Sequence, residues 1–157
     1  MVKKNKKIKI VGLIPSRLNS SRLFEKALLE IDGVPLVIHT FKRAKLSKYL
    51  DDIYVCTDSK KIATICKKYK CKVLFTGKNP TGTDRISEAA DKLKTKYDLY
   101  IDIQGDEPLI NPNHIDKVIL WHQKIIYHLL HGYSSLFAWY CSSFYFCQRP
   151  YPTYPRF

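Results

Sequence analysis

Short apolar runs alternate with amphipathic segments over most of this chain, and this alternation constrains the fold more strongly than any other feature of the sequence. Four runs have the apolar or alternating pattern of strands in a buried sheet: 7–14, 52–58, 71–76 and 98–106. Four further segments have helical spacing: 35–47, 60–70, 85–96 and about 112–121. Strand and helix units joined by short connections predict an α/β fold, a doubly wound, mostly parallel sheet with helices on both faces.

The composition is that of a globular domain with an excess of positive charge. The 157 residues are 45% hydrophobic and 26% charged, and 27 lysines and arginines against 14 acidic residues give a net charge of +13. Lysines crowd residues 3–9, where a solvated basic lead-in to the first strand and a nucleic-acid surface are the two explanations. Lysine outnumbers arginine 21 to 6. This ratio disfavours nucleic acid, and acidic small molecules such as nucleoside triphosphates and sugar acids are the alternative partners.

The cysteines and the apolar tail bear on location. No two of the five cysteines have C-x-x-C or zinc-ligand spacing, which is usual for reduced cysteines of the cytoplasm. The stretch 125–146 is apolar, but His128, His131 and two serine pairs interrupt it, so we expect no membrane span. We recognise no signal peptide, and the predicted location is cytoplasmic.

Three polar loops follow predicted strands, and parallel strands would bring all three to one edge of the sheet. The first loop holds Arg17, Arg22 and Lys26 among small hydroxyl side chains, a set suited to a polyphosphate. It matches neither the P-loop nor the dinucleotide fingerprint. A solvated basic loop is the alternative interpretation.

The second loop runs from Gly82 to Arg85 and opens a predicted helix. It could present a helix N-terminus and one guanidinium to an anion or a base. Simple capping of the helix by Asp84 or Thr83 is the alternative.

The third loop, Gln104 to Pro108, carries carboxylates at the end of a buried strand. A carboxylate at that point can hold Mg²⁺ that bridges to phosphate oxygens. The alternative is a turn in which Asp106 accepts backbone N–H groups.

Five features between residues 8 and 120 together resemble a known family. In chain order they are LIPSRLNSSRL (13–23), Lys26, YVCTD (54–58), TGTDRISEA (81–89) and DIQGDEPLI (102–110). Their order and spacing resemble the motifs of the 3-deoxy-manno-octulosonate cytidylyltransferases, or CMP-KDO synthetases. Synthetases of CMP-sialic acid share the opening loop in looser form and are the alternative, but GTDR followed by QGDEP favours the KDO branch.

The resemblance implies an α/β nucleotidyltransferase that uses CTP and Mg²⁺ and is commonly a homodimer. It implies that the anomeric hydroxyl of KDO attacks the α-phosphate of CTP, which gives CMP-KDO and pyrophosphate for lipopolysaccharide or capsule synthesis. Arg17 and Lys26 would then bind the triphosphate and stabilise the leaving pyrophosphate, and Asp106 would ligate Mg²⁺. The residues that the resemblance assigns to nucleotide binding all lie in or beside the three loops: Pro15, Ser16, Arg17, Ser20, Arg22, Lys26, Gly82, Arg85 and Gln104.

The sequence departs from the family pattern just before Lys26. The family has Pro-Gly in the motif RLPGK, whereas Phe24 and Glu25 stand there in this chain. If residue 25 has a positive φ, Glu25 is strained, and its charge lies near the triphosphate. We therefore expect weakened phosphate binding and a gain in CTP affinity on Glu25→Gly.

A second departure is the end of the chain. The family pattern stops near Trp121, which divides the sequence into a nucleotide-binding part at 1–122 and an aromatic-rich tail at 123–157. No acidic residue follows Asp116, so the tail has no candidate for the second metal-binding aspartate that the family resemblance implies. We expect a truncated or frameshifted product, with a divergent tail as the alternative. A catalytically inactive nucleotide-binding protein is accordingly the second functional hypothesis.

Overall fold

A computed structural model describes residues 8–18 and 23–130 of the chain, the last six of them by their backbone. The elements follow each other as in the predicted alternation. In chain order they are β1 (Ile10–Pro15), β2 (Glu30–Ile31), β3 (Val34–Pro35), α1 (Leu36–Ala44), β4 (Asp52–Thr57), α2 (Lys60–Lys68), β5 (Val73–Phe75), α3 (Gly82–Lys92), β6 (Leu99–Asp102) and α4 (Pro112–Leu130), with a 3₁₀ turn at Lys26–Leu28.

The four longer strands form one parallel sheet in the order β5-β4-β1-β6. Strand β1 is therefore internal, paired with β4 on one side and β6 on the other. Each connection between these strands contains a helix, because parallel strands need a crossover. The predicted α/β fold with a parallel sheet is confirmed.

Helices cover both faces of this sheet. Ile38 of α1, Ile62 of α2 and Ile119 of α4 belong to the core on one face, and each is completely buried. Ile86 of α3 packs with Leu13 of β1 in the core on the other face. Full burial of such a side chain contributes about 1.5–3 kcal/mol. The two-sided burial explains why the strands read as nearly continuous apolar runs.

A small antiparallel hairpin, β2 with β3, precedes α1 and was not predicted. Asp32 and Gly33 form its turn, with φ values of 50° and 71°, the positive values that a tight hairpin turn requires. Two-residue strands are too short to show periodicity, so only the turn signal was legible in the sequence. Strand β6 also ends at Asp102, four residues before the predicted end at 106.

The loop after β6 crosses closely over the end of β1. A Cβ added at Gly105 would lie 2.7 Å from the carbonyl oxygen of Pro15, so only glycine fits there. Thr40 of α1 donates a hydrogen bond of 3.3 Å to the Gly105 carbonyl. This contact fixes the position of the loop over the sheet.

Within the described residues, no helix is long and apolar enough to cross a membrane. Residues 131–157 of the predicted tail lie outside the described residues.

We expect Gly105→Ala to lower the free energy of unfolding by about 1–3 kcal/mol, because the new methyl group must displace backbone. Gly77→Ala is the matched control, since its Cβ would have only ordinary contacts at 3.5 Å and beyond with Glu88. Urea unfolding of both variants measures the difference. Equal stability of the two variants would contradict the close approach.

Candidate functional site

The three polar loops meet at the carboxyl edge of the sheet. The Ser16 amide donates to the Cys56 carbonyl at 2.8 Å, which ties the end of β1 to that of β4. Arg17 Nη1 donates to the carbonyl of Pro80, 3.2 Å away in the loop before α3. Lys26 reaches the loop after β6. The predicted convergence of the three loops is confirmed. The side-chain contacts that connect the loops across the edge could not be predicted from the sequence.

Lys26 and Asp106 form an ion pair at this edge, with Nζ 2.6 Å from Oδ2. Their side chains are 39% and 49% exposed, so both charges remain accessible to a ligand. The pair joins the cation expected to bind phosphate to the carboxylate expected to bind a metal. These two roles stay predictions, but the two groups are adjacent as both roles require.

A cleft of about 360 Å³ opens at the carboxyl ends of β1 and β4, a volume at the lower end of small-molecule sites. Its lining is mostly polar and comes from the ends of β1 and β4 and from α3 with the loop before it: Arg17, Leu18, Asp58, Ser59, Asn79 and Arg85. Such a lining suits a ligand with several hydrogen-bonding groups.

Arg85 is the most constrained of these side chains. It is 3% exposed, and its Nη1 lies 2.5 Å from Thr76 Oγ1 and 3.2 Å from Asp58 Oδ1. A third acceptor, the Gly77 carbonyl, lies at 3.4 Å. Arg85 is thus a fixed cation in the wall of the cleft that joins the ends of β4 and β5. Its predicted contact with a nucleotide stays a prediction.

The N-terminus of α3 lies against Pro15. A Cβ added at Gly82 would lie 3.6 Å from Cγ of Pro15. The cap is Thr81, whose hydroxyl accepts from the Asp84 amide while the Asp84 carboxylate accepts from the Thr81 amide. The expectation that Asp84 or Thr83 would be the cap was therefore wrong. The spacing Thr81-x-x-Asp84 is a capping box, in which Asp84 serves from the third helical position.

Glu88 holds the loop before α3 in place. Its carboxylate accepts from the Gly77 amide at 2.9 Å, from Asn79 at 2.6 Å and from Lys92 at 2.6 Å. These hydrogen bonds lower the pKa of Glu88 to about 2. Lys92 has the largest effect on the pKa, followed by Asn79 and then Gly77. This loop carries the Pro80 carbonyl that Arg17 contacts, so Glu88 supports the site indirectly.

Two buried polar groups lie behind the edge. The Ser16 hydroxyl is buried and has no hydrogen-bond partner among the described residues. Asp102 is 6% exposed, and its burial raises the pKa of that carboxyl to about 7. Gln104 Nε2 lies 3.5 Å from both Asp102 oxygens. Sequence reasoning passed over Asp102, although an aspartate in the apolar strand Leu-Tyr-Ile-Asp was a signal.

Strand β4 contains a buried cysteine next to its last residue. Cys56 is buried, and desolvation raises the pKa of its thiol to about 12, as fits a core residue and not a nucleophile. Ser20 and Arg22 lie outside the described residues.

The donor set at the edge is compatible with Mg²⁺ bound largely by a substrate. Within 8–18 and 23–130, no group of three or more potential ligand side chains is assembled. Asp106 offers an accessible carboxylate 2.6 Å from Lys26, the cation predicted to bind phosphate. Mg²⁺ commonly binds through one or two carboxylates together with substrate phosphates and water, and this arrangement can provide that.

A parallel α/β sheet with cations and a carboxylate at its carboxyl edge is an architecture in which α/β proteins commonly bind their ligands. The family model described as cytidylyltransferase matches residues 11–140. The chain belongs to the cytidylyltransferase family, which confirms the resemblance read from its motifs.

Curated relatives with the name 3-deoxy-manno-octulosonate cytidylyltransferase match the same region. The mitochondrial protein of Arabidopsis thaliana is 45% identical over 112 residues, which are 71% of this chain and 39% of that protein. The protein of Chloroherpeton thalassium is 45% identical over 114 residues, 72% of this chain and 46% of that protein. The chain spans less than half the length of these relatives.

Solved structures agree with the fold. The CMP:2-keto-3-deoxy-manno-octonic acid synthetase complexed with CTP has a TM-score of 0.71 and 33% identity, and the match covers 74% of this chain and 48% of that one. A cytidylyltransferase from Leptospira borgpetersenii has a TM-score of 0.63 and 28% identity, covering 74% and 50%.

The depressed pKa of Glu88 gives a prediction about acid stability. Since the carboxylate has a pKa of about 2 in the folded chain against its ordinary value of 4.5, its contribution to stability is complete above about pH 4.5 and is lost as the pH falls towards 2. We expect the melting temperature of Glu88→Gln to fall less than that of the wild type between about pH 6 and pH 3. Glu107→Gln, at an exposed glutamate, is the control and should behave as the wild type does. Identical acid sensitivity of all three would contradict the Glu88 contacts.

Proposed function

We propose that this chain carries the nucleotide-activating part of a cytidylyltransferase that transfers CMP from CTP to the 2-keto sugar acid KDO. The observation that carries the proposal is the accessible Lys26–Asp106 pair at the carboxyl edge of the sheet. Support also comes from the relatives, which carry the name of this activity, and from the similar synthetase that was solved with CTP.

Lys26 and Arg17 are the cations that we assign to the triphosphate. In the proposed step the anomeric hydroxyl of KDO loses its proton to water and its oxygen forms a bond to the α-phosphorus, while the bond from that phosphorus to the bridging oxygen breaks. Pyrophosphate leaves with the electron pair. Catalysis of such a transfer rests on positioning and on neutralising oxygen charge, which two cations at one edge can do.

Asp106 is the residue that we assign to Mg²⁺. When bound, the ion would neutralise phosphate charge in the same way as the cationic side chains. Binding of a metal–nucleotide complex would separate the ion pair, since the triphosphate competes for Lys26 and the metal competes for Asp106. The exposure of both side chains permits this exchange.

The polar cleft is the place that we propose for the nucleoside. Its fixed guanidinium, Arg85, is a group that a base or ribose could engage, and Ser16 adjoins the cleft-lining Arg17 in the chain. We assign the remaining contacts to the other residues of the three loops: Pro15, Ser20, Arg22, Gly82 and Gln104.

We further propose a cytoplasmic setting, lipopolysaccharide or capsule synthesis as the context, and assembly as a homodimer. The free thiols of Cys56, Cys66 and Cys71 favour a reducing compartment. A chain that binds CTP without completing the transfer is the second candidate.

We expect pyrophosphate release when the chain is incubated with CTP, KDO and Mg²⁺, and its loss in Asp106→Asn. Release that persists in Asp106→Asn would contradict the assigned metal ligand. Measurable CTP binding without release would favour the second candidate, and the absence of both would contradict the proposed function.

We expect Lys26→Ala to weaken CTP binding by about 10- to 100-fold, the loss of one charge-assisted hydrogen bond. Lys68→Ala, at an exposed lysine at the far end of α2, removes the same charge away from the edge and should leave affinity unchanged. Isothermal titration calorimetry distinguishes these outcomes. Equal losses in both variants would mean that net charge, and not the position of Lys26, controls binding.

A further inference from the structure

Glu25 has a left-handed backbone conformation, with φ at 51° and ψ at 29°. This conformation is unfavourable for residues with a Cβ, and glutamate gains no local hydrogen bond there as asparagine or aspartate can. The positive φ expected at this position is thus present, and residue 25 directly precedes Lys26. The surrounding structure must therefore hold Glu25 in place.

Lys61 provides the contact that does so. Its Nζ donates to both carboxylate oxygens of Glu25, at 2.8 Å and 2.6 Å. Lys61 lies in the first turn of α2, two residues after Ser59, which lines the cleft. Glu25 is thereby tied to the connection that follows β4.

The side chain of Lys26 extends towards the opposite neighbour of β1, strand β6. Lys26 contacts Asp106, in the loop that follows β6. Two consecutive residues thus connect to the ends of β4 and β6, the two strands that flank β1. The turn that contains Glu25 and Lys26 is closed by two backbone hydrogen bonds. The Lys26 amide donates to the Leu23 carbonyl at 3.3 Å, and the Leu28 amide donates to the Glu25 carbonyl at 2.8 Å.

We propose that Lys61 is a positioning residue for nucleotide binding, which acts through Glu25 to hold the backbone of Lys26 at the carboxyl edge of the sheet. It also neutralises a carboxylate that would otherwise repel a triphosphate one residue away. This inference rests on the proposed function, because it assigns Lys61 a role in that same site. Lys61 itself has no contact with the ligand in this account.

An ordinary exposed ion pair contributes little to stability, so the test must distinguish a positioning role of Lys61 from a simple surface contact. The distinguishing property is dependence on Glu25. Lys61→Ala leaves a strained, unneutralised glutamate beside Lys26, whereas in Glu25→Gly both the strain and the charge are absent. The effect of Lys61→Ala should then disappear in the Glu25→Gly background.

The test is a double-mutant cycle on the affinity for CTP with Mg²⁺, measured by calorimetry. We expect Lys61→Ala to weaken binding about tenfold, a size usual for coupled neighbours. Glu25→Gly should bind at least as tightly as the wild type, and the double variant should match Glu25→Gly. Lys60→Ala, the same charge one residue away, is the matched control and should bind as the wild type does.

Hydrogen exchange of residues 23–28 without nucleotide provides a readout independent of the proposed function. We expect faster exchange in Lys61→Ala and wild-type rates in Lys60→Ala. Unchanged exchange and affinity in Lys61→Ala, or an equal loss of affinity with and without Glu25, would overturn the positioning role. If no variant binds CTP while exchange responds as expected, the proposed function fails and the anchoring by Lys61 stands.

Discussion

The parallel pairing of β1 with β4 on one side and β6 on the other determines where Arg17, Lys26 and Asp106 can meet. Because β1 is internal, the loops that follow it and its two neighbours must share one edge of the sheet. The passage of Gly105 over the Pro15 carbonyl brings the third loop directly against the end of β1. Asp106 follows one residue later, and its distance from Lys26 depends on this backbone packing.

Three ion pairs lie at this edge. Lys26 faces Asp106, Lys61 faces Glu25, and Arg85 faces Asp58. Such pairs favour a ligand that supplies both signs of charge, because each partner of a separated pair then finds a replacement. A metal–triphosphate complex has this property, whereas a bare anion would leave Asp106 without a counter-charge. The pairing thus links the composition of the site to the class of ligand proposed for it.

The sequence predicted the parts of the structure that follow from local pattern. Apolar runs indicated β1, β4, β5 and β6, and the rule that parallel strands end at one edge predicted that Arg17, Lys26 and Asp106 would converge. Contacts between side chains that are distant in the sequence could not be predicted from local pattern. Nothing near Glu25 indicates its contact with Lys61, 36 residues away. The cap at Thr81 and the burial of Asp102 did have local signals, the capping-box spacing Thr81-x-x-Asp84 and an aspartate within an apolar strand. The β2–β3 hairpin was missed because its strands are too short for periodicity.

The central claim is that a metal–nucleotide complex binds between Lys26 and Asp106. Paramagnetic line broadening by Mn²⁺ in the presence of CTP tests it most directly, because the metal broadens backbone amide signals around its own position. The account predicts that Mn²⁺ with CTP broadens the amides of residues 104–107 and of Lys26 far more than those at the opposite edge, such as Lys72. Sharp signals at 104–107 while CTP is bound would contradict it.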